Sequence, residues 1–190
     1  MLVSPQGLLI VALSILAIGK ICFNRDYLNC FGIVKNHLEC FRMADGRISK
    51  VSFLLYFVAP LLLSLSLVRI RILDDTVTNI VTIIVSIFTS MFFTLLTLIL
   101  DMHSKVEKDT KYNAGDAYLS IKLLKETYYS IMFEILISVL ILMMCFIELF
   151  AKQYTNIGSI IIYYLTFILL INLFIILKRI YNIIKRDLEI

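Results

Sequence analysis

Four long blocks of apolar residues constrain the fold of this chain of 190 residues more than any other feature. They cover residues 51–68, 80–100, 131–150 and 157–177. A helix needs about 20 apolar residues to cross the hydrocarbon core of a bilayer, where every backbone polar group has to be satisfied inside the helix. The blocks therefore predict an all-α fold, a polytopic membrane helical bundle with four long spans.

The composition agrees with that class. Hydrophobic residues make up 61% of the chain and charged residues 17%, whereas soluble domains have about 45–50% apolar and about 25% charged residues. A disordered chain is excluded, because it needs low hydrophobicity and high charge. We expect one membrane domain over residues 1–190.

A fifth, shorter apolar block lies within residues 1–19. No Lys or Arg precedes it, which is unlike the charged start of a signal peptide. We interpret it as a short N-terminal span, and an interfacial or re-entrant helix is the alternative.

The connecting segments divide the basic residues unevenly. Of the 18 Lys and Arg residues, 15 lie in segments 20–50, 101–130 and 178–190, and only three lie in the other connections. Cytoplasmic loops are the ones enriched in Lys and Arg. We therefore expect these three segments, including the C-terminus, to be cytoplasmic in a multi-pass protein.

The helical pattern continues past the apolar blocks. No Gly or Pro occurs from residue 116 to residue 151, and a helix of that length measures about 54 Å against a hydrocarbon core of about 30 Å. We therefore predict a cytoplasmic helical hairpin over 101–130 with its tip near Asn113. The tail 178–190 is predicted to be a second amphipathic extension, and segment 20–50 to contain a third.

These extensions carry apolar faces whose role is open. They can pack on each other, lie on anionic lipid headgroups, or dock a soluble partner or neighbouring copies. The residues that we expect to form the docking face are Ile121, Leu124, Tyr128, Ile184 and Leu188.

Hydroxyl side chains recur at helical spacing along the block 80–100. They are Thr82, Ser86, Ser90, Thr94 and Thr97, and steps of three or four residues keep them on one stripe of a helix. Small polar residues allow membrane helices to approach closely and to hydrogen-bond. The stripe therefore predicts a packing seam within or between protomers, and a water-lined stripe in an oligomeric pore is the alternative.

Three further polar residues stand in or beside the apolar blocks. Glu134 is a carboxylate inside a block, where an ionisable group is costly enough to need a partner. Lys178, at the corresponding end of the next block, is the partner that we expect. Asn172 is expected to hydrogen-bond to a neighbouring helix.

The motifs of common enzyme classes do not occur in this sequence. There is no glycine-rich phosphate loop, no HExxH and no nucleophile elbow. Cys22, Cys30, His37 and Cys40 share one segment, but no CxxC or HxxxH pair anchors a zinc site there. We therefore expect no catalysis and no metal or other cofactor. Because basic and acidic residues are interleaved, we also expect no direct contact with nucleic acid.

In the order of its spans and in its cytoplasmic overhang, the chain resembles KwaA, the membrane subunit family of the Kiwa anti-phage defence system. The resemblance covers the whole chain as architecture and carries no motif, so no functional residue is taken from it. It implies a homo-oligomer in the bacterial inner membrane that senses infection and holds a cytoplasmic DNA-binding protein.

These patterns predict a non-enzymatic, oligomeric inner-membrane sensor or scaffold that recruits a cytoplasmic effector through its helical extensions. A pore-forming effector or channel, lined by the hydroxyl stripe, is the alternative function.

Overall fold

The computed structural model describes residues 11, 30–41, 50–108, 114–150 and 154–189, and for 50, 52, 107, 108, 114–117 and 186–189 it describes the backbone alone. The chain forms two compact units, Met1–Gly32 and Ile33–Ile190. Apart from Val11, the predicted short span over 1–19 lies outside the described residues. The fold given below is that of the second unit.

The described part of the chain is helical and contains no strand. Its elements are α1 (Phe31–Glu39), α2 (Lys50–Phe53), a π-helical turn (Leu54–Val58), α3 (Ala59–Ile70), α4 (Asp75–Lys108), α5 (Ala114–Glu148) and α6 (Asn156–Glu189). Helices α4, α5 and α6 are long and apolar enough to cross a membrane. The predicted all-α class is therefore confirmed, with three helices that could span a membrane.

The first of the four predicted long spans is shorter than the other three. Its apolar part covers Leu54–Ile70 and is interrupted by the π turn. Pro60 explains the interruption, because it has no amide hydrogen to donate to the preceding turn. The turn widens there, and the Ala59 N–H bonds to the Leu54 carbonyl oxygen, five residues back. The structure thus has three long spanning helices in its described part, not four.

The three long helices outrun a bilayer as predicted. They contain 34, 35 and 34 residues, which corresponds to about 50 Å each against a hydrocarbon core of about 30 Å. Helix α4 continues past its apolar block to Lys108, and α6 continues to Glu189. The predicted hairpin tip near Asn113 lies outside the described residues.

At one end of the bundle, here called the loop end, the short connection between α3 and α4 meets the start of α6. The Leu73 N–H donates to Ser159 Oγ at 3.2 Å. The Tyr163 hydroxyl donates to the Arg71 carbonyl oxygen at 3.2 Å. The opposite end, where α4 and α6 end and α5 begins, is here called the stalk end.

Side-chain caps fix where α4 and α6 begin at the loop end. Asp74 Oδ1 accepts the Val77 N–H at 2.8 Å, and Thr155 Oγ1 accepts the Gly158 N–H at 3.0 Å. The bond from Val77, together with a contact from the Arg71 guanidinium, lowers the pKa of the Asp74 carboxyl. Because a helix rises by a constant amount per residue, these starts also determine which residues of α4 and α6 lie at the stalk end.

The core follows the contacts between neighbouring helices. Helix α4 packs on α5, α5 on α6, and α6 on α3. The largest buried side chains along these contacts include Phe92, Leu124, Ile131, Ile162 and Ile176. Helix α4 lies at the edge of this arrangement. In its apolar stretch of 18 residues, 17% is buried inside the protein, compared with 39% for the corresponding stretches of α5 and α6.

Candidate functional site

A guanidinium joins α5 and α6 at the stalk end. Arg179 Nη1 donates to the Glu126 carbonyl oxygen at 2.7 Å and to Ser130 Oγ at 2.9 Å. Arg179 Nη2 lies 3.8 Å from Glu126 Oε2. Because the Arg179 side chain is only 14% exposed, these charge-assisted bonds are strong. They hold α6 in one register on α5.

The cation that we predicted as the partner of Glu134 does not reach it. Lys178 is exposed, and the next residue on α6, Arg179, is the cation that enters the bundle. Consecutive residues on a helix of 3.6 residues per turn point about 100° apart, so one position decides which side chain faces α5. The predicted pair of Glu134 with Lys178 is therefore wrong.

Helix α1 docks on the bundle through a cluster of four rings, here called the His37 cluster (His37, Phe41, Tyr56 and Phe133). The His37 and Phe133 rings are stacked, with centroids 4.0 Å apart and planes at 5°. Phe41 lies edge-on to His37 at 5.0 Å and contacts Tyr56 at 4.3 Å. Edge-on and offset contacts of this kind add to the burial of the rings.

Burial keeps His37 uncharged. The residue is 2% exposed, and desolvation, assisted by the positive charge of Arg179, lowers the pKa of His37 from 6.5 to about 3. The sequence suggested His37 only as a possible metal ligand. Its ring instead joins α1 to α5, a role that depends on a partner about 100 positions away and has no local signal.

Cys40 lies at the same end of the bundle as a thiol. Its Sγ donates to the Asn36 carbonyl oxygen at 3.2 Å and approaches the Glu126 carbonyl oxygen at 3.9 Å. Burial raises the pKa of the Cys40 thiol, which is the opposite of what a reactive or metal-binding cysteine needs. In the part of the chain that the structure describes, no three His, Cys, Asp or Glu side chains come together as a metal site.

Glu134 and Asn172 face each other across the contact between α5 and α6. They are 0% and 1% exposed. Neither carboxyl oxygen of Glu134 has a hydrogen bond of 3.5 Å or less, and the same is true of the amide nitrogen and oxygen of Asn172. Asn172 thus faces a neighbouring helix, but the hydrogen bond predicted for it is not formed, and the group opposite it is the carboxyl of Glu134.

Further buried polar groups extend from this pair in both directions. Ser138, one turn along α5, is fully buried and its hydroxyl has no partner. Towards the stalk end, the buried Tyr56 hydroxyl also lacks a partner and is within electrostatic range of both Glu134 and Arg179. We call this set the polar column (Arg179, Tyr56, Glu134, Asn172 and Ser138).

Two clefts flank α5 at the stalk end. The larger, of about 390 Å³, lies between α1 and α5, and the smaller, of about 220 Å³, lies between α4 and α5. Tyr129 and Lys125 contribute to both. Ile121 lines the larger cleft and Tyr128 the smaller one.

The predicted docking face is therefore only partly accessible. Leu124 is 1% exposed and forms part of the wall of the smaller cleft. Its prediction as a docking residue is wrong, because almost none of its side chain is accessible. Ile121 and Tyr128 are half-buried, and Ile184 is exposed. The side chain of Leu188 lies outside the described part.

The predicted hydroxyl stripe lies on the outer face of α4. Ser86, Ser90, Thr94 and Thr97 are exposed, and Thr82 alone turns towards α5, where it faces Cys145. The hydroxyls of Thr82, Ser86, Thr94 and Thr97 donate to carbonyl oxygens of their own helix at 2.7–3.2 Å. The prediction of a packing seam within the protomer is therefore wrong for every residue of the stripe except Thr82. Hydroxyls bonded in this way can face lipid or a neighbouring copy without water.

The fold and its polar column define a helical membrane protein with a stalk at one end. No protein-family model, curated protein or solved structure matches the chain.

Proposed function

We propose that this chain is a non-enzymatic membrane scaffold or sensor that holds a soluble protein at its stalk end. The observation that carries the proposal is the common overhang of three helices of 34, 35 and 34 residues. About 20 Å of each helix remains outside a hydrocarbon core of about 30 Å. That length, with a cleft on each side of α5, is sufficient for a soluble protein to bind.

The charges around the clefts define the chemistry of the partner. Lys122, Lys125 and Lys178 are exposed at the stalk end. Tyr118 and Tyr129 line the larger cleft beside two of them. Tyrosines that become buried when a partner binds are frequent anchors of interfaces, and complementary charge steers association. Glu39 and Glu126 also line the larger cleft, so in this proposal the partner presents acidic groups to the lysines and inserts apolar side chains beside the tyrosines.

The proposal includes a cytoplasmic stalk end and C-terminus in a bacterial inner membrane. Its support is the distribution of Lys and Arg, 15 of 18 in the segments 20–50, 101–130 and 178–190. It also includes Leu54–Ile70, extended by α2, as a fourth and shorter span.

Copies of the chain associate, in this proposal, through the outer face of α4. That helix is the least buried of the three long ones, and its exposed hydroxyl stripe suits close contact between membrane helices. Association through α4 would leave the larger cleft, between α1 and α5, accessible to the soluble partner.

The architectural resemblance to the KwaA family extends the proposal to anti-phage defence. The partner would then be a DNA-binding protein held at the membrane, while the chain itself makes no contact with nucleic acid. The long helices would carry the stimulus from the membrane to the partner.

Site-specific photo-cross-linking in living cells tests the docking proposal. A cross-linking amino acid at Tyr118, which is 68% exposed, is expected to capture one soluble protein that mass spectrometry identifies. The matched control is Ile157, 71% exposed at the loop end, where the same protein should not be captured. Absence of any soluble protein at position 118, or equal capture at both positions, would contradict the proposal.

Binding of the identified protein provides the second arm of this test. The purified partner should bind the detergent-solubilised chain, and Lys122→Glu with Lys125→Glu should weaken binding by about tenfold, or about 1.4 kcal/mol. Arg69→Glu, an exposed change at the loop end, should leave the affinity unchanged. Equal affinities for all three chains would show that the clefts are not the binding surface.

A pore is the second candidate function, and the exposure of the hydroxyl stripe is the observation that favours it. Several copies with this face turned inward would line an axis with hydroxyls. Wild-type protein would then conduct ions in planar bilayers, and Ser86→Leu with Ser90→Leu would change the conductance. Bilayers that stay silent with the wild type exclude the pore, whereas loss of chemical cross-links between copies in the same variant supports association through α4.

A further inference from the structure

The contact between α5 and α6 contains a carboxyl group that no cation among the described residues neutralises. Glu134 is fully buried. Arg179 is engaged with Glu126 and Ser130, and Lys178 is exposed. An isolated carboxylate in a hydrocarbon environment is too costly to persist, so the group has to be neutralised in another way.

Asn172 offers the bonding pattern that a protonated carboxyl group needs. A carboxamide supplies one acceptor oxygen and a donor NH₂ group, and a carboxylic acid supplies one O–H donor and one acceptor oxygen. The two carboxyl oxygens of Glu134 and the amide nitrogen and oxygen of Asn172 are buried without any hydrogen-bond partner. A single proton would allow two parallel hydrogen bonds between the groups, whereas a carboxylate would leave the Asn172 oxygen facing negative charge.

We infer that Glu134 is a buried proton-binding site, at which the acid donates to Asn172 Oδ1, accepts from Asn172 Nδ2 and thereby holds α5 against α6. When the proton leaves, it passes to water and a carboxylate remains in the helix contact. Water has to enter the contact, or the helices have to part, before that charge is tolerated.

The other ionisable groups around this site lie on the neighbouring elements. Tyr56 on the π turn and Arg179 on α6 are towards the stalk end, as is Glu126 on α5. Helix α4 has no titratable residue between its Asp75 and Asp101, and the only one in α3 is Arg69, at the loop end. Helix α1 contributes His37, whose neutral ring stacks on Phe133, the residue next to Glu134. Among the described residues of α3, α4 and α6, no base lies beside Glu134 to accept its proton within the contact.

The site is also connected to helix α1. Phe133, the residue next to Glu134, carries the ring on which His37 stacks. If α5 and α6 separate at Glu134, the contact between α1 and α5 is therefore disturbed. The larger cleft, which lies between α1 and α5, changes with it.

Infrared spectroscopy of the full-length protein tests this assignment. At neutral pH the wild type should show the carbonyl stretch of a protonated carboxylic acid, shifted by ¹³C-glutamate labelling and by deuterium exchange. Glu134→Gln should lose that band, and Glu148→Gln, a matched change on the same helix near the loop end, should retain it. If Glu134→Gln does not fold, the labelled wild type still decides, because a folded chain without the band overturns the assignment.

Thermal unfolding at increasing pH provides an independent readout. An exposed glutamate in the unfolded chain releases its proton readily, so the folded state binds more protons and loses stability as the pH rises. Glu134→Gln keeps a neutral amide opposite Asn172 and should lose this dependence. If the wild type and Glu134→Gln lose thermal stability equally as the pH rises, the inference is overturned. Stabilisation of the wild type by sodium or potassium at neutral pH, abolished in Glu134→Gln, would assign the site to a metal cation and overturn the inference as well.

Discussion

The imidazole of His37 lies almost parallel to the phenyl ring of Phe133, with the ring centroids 4.0 Å apart. The contact places a residue of the short helix α1 on α5, one position from Glu134. An imidazolium ion in this position would be desolvated and would face the positive Arg179. The contact is therefore stable with a neutral imidazole only.

Acid should destabilise the protein through His37. The unfolded histidine binds a proton below its usual pKa of 6.5, whereas the folded one does so only near its lowered pKa of about 3. Between these values His37 binds its proton in the unfolded state and not in the folded one, so its contribution to the free energy of unfolding falls as the pH falls, by about 1.4 kcal/mol per pH unit. Thermal unfolding at a series of pH values measures this slope.

His37→Phe keeps an aromatic ring and removes the titrating group, so its acid slope should be shallower by one proton. Leu38→Met, a half-buried change on the same helix that removes no titrating group, is the matched control and should leave the slope as in the wild type. Equal slopes for all three proteins would refute the role assigned to His37.

Arg179→Ala should destabilise the bundle, and Lys178→Ala should not. The first change removes a charged donor from the Glu126 carbonyl oxygen and from Ser130 Oγ, and such bonds contribute about 1.5–3 kcal/mol. Lys178 is exposed, and surface changes lie within about 0.5 kcal/mol. Denaturant unfolding in micelles compares the two, and a larger loss for Lys178→Ala would reverse the assignment.

Ser159→Ala should weaken the loop end. It leaves the Leu73 N–H, which belongs to a residue that is 3% exposed, without the Ser159 acceptor. A buried donor without a partner costs about 1–3 kcal/mol. Hydrogen exchange at the Leu73 amide should accelerate in this variant and remain unchanged in Ser66→Ala, an exposed control on α3. Unchanged protection of the Leu73 amide would count against the bond.

Cysteine labelling checks the proposed orientation. In a chain without its native cysteines, Ile157→Cys at the loop end should react with a membrane-impermeant maleimide in intact cells. Lys122→Cys on the stalk should react only after the membrane is opened, because the Lys-rich side is expected to be cytoplasmic. The reverse pattern would invert the topology.

The long helices could be predicted because their signal is local. The absence of Gly and Pro from residue 116 to residue 151 allows α5 to run without interruption, and the caps at Asp74 and Thr155 are residue types that favour helix starts. The interruption of the first apolar block could be predicted only in part. Pro60 predicts a bend, but the formation of a π turn depends on the packing around it.

The site could be predicted only in part, because it is made by contacts between distant residues. The cost of a buried carboxylate marks Glu134 from the sequence alone. Whether Lys178 or Arg179 faces α5 depends on the rotation of α6, which the loop-end contacts set. No periodicity in the sequence indicates the stacking of His37 on Phe133. The burial of Leu124 shows that the apolar face of an amphipathic stalk packs within the bundle before it is available to a partner.

The two contacts between α5 and α6 lie a similar distance apart on each helix. From Glu126 to Glu134 is about 12 Å along α5, and from Arg179 to Asn172 is about 10.5 Å along α6. A slide of α6 by one turn, about 5.4 Å, would break both contacts at once and carry the guanidinium into or out of the hydrocarbon. Both contacts therefore oppose a piston movement of α6, and in the proposed sensor a tilt or a separation of the two helices would carry the signal.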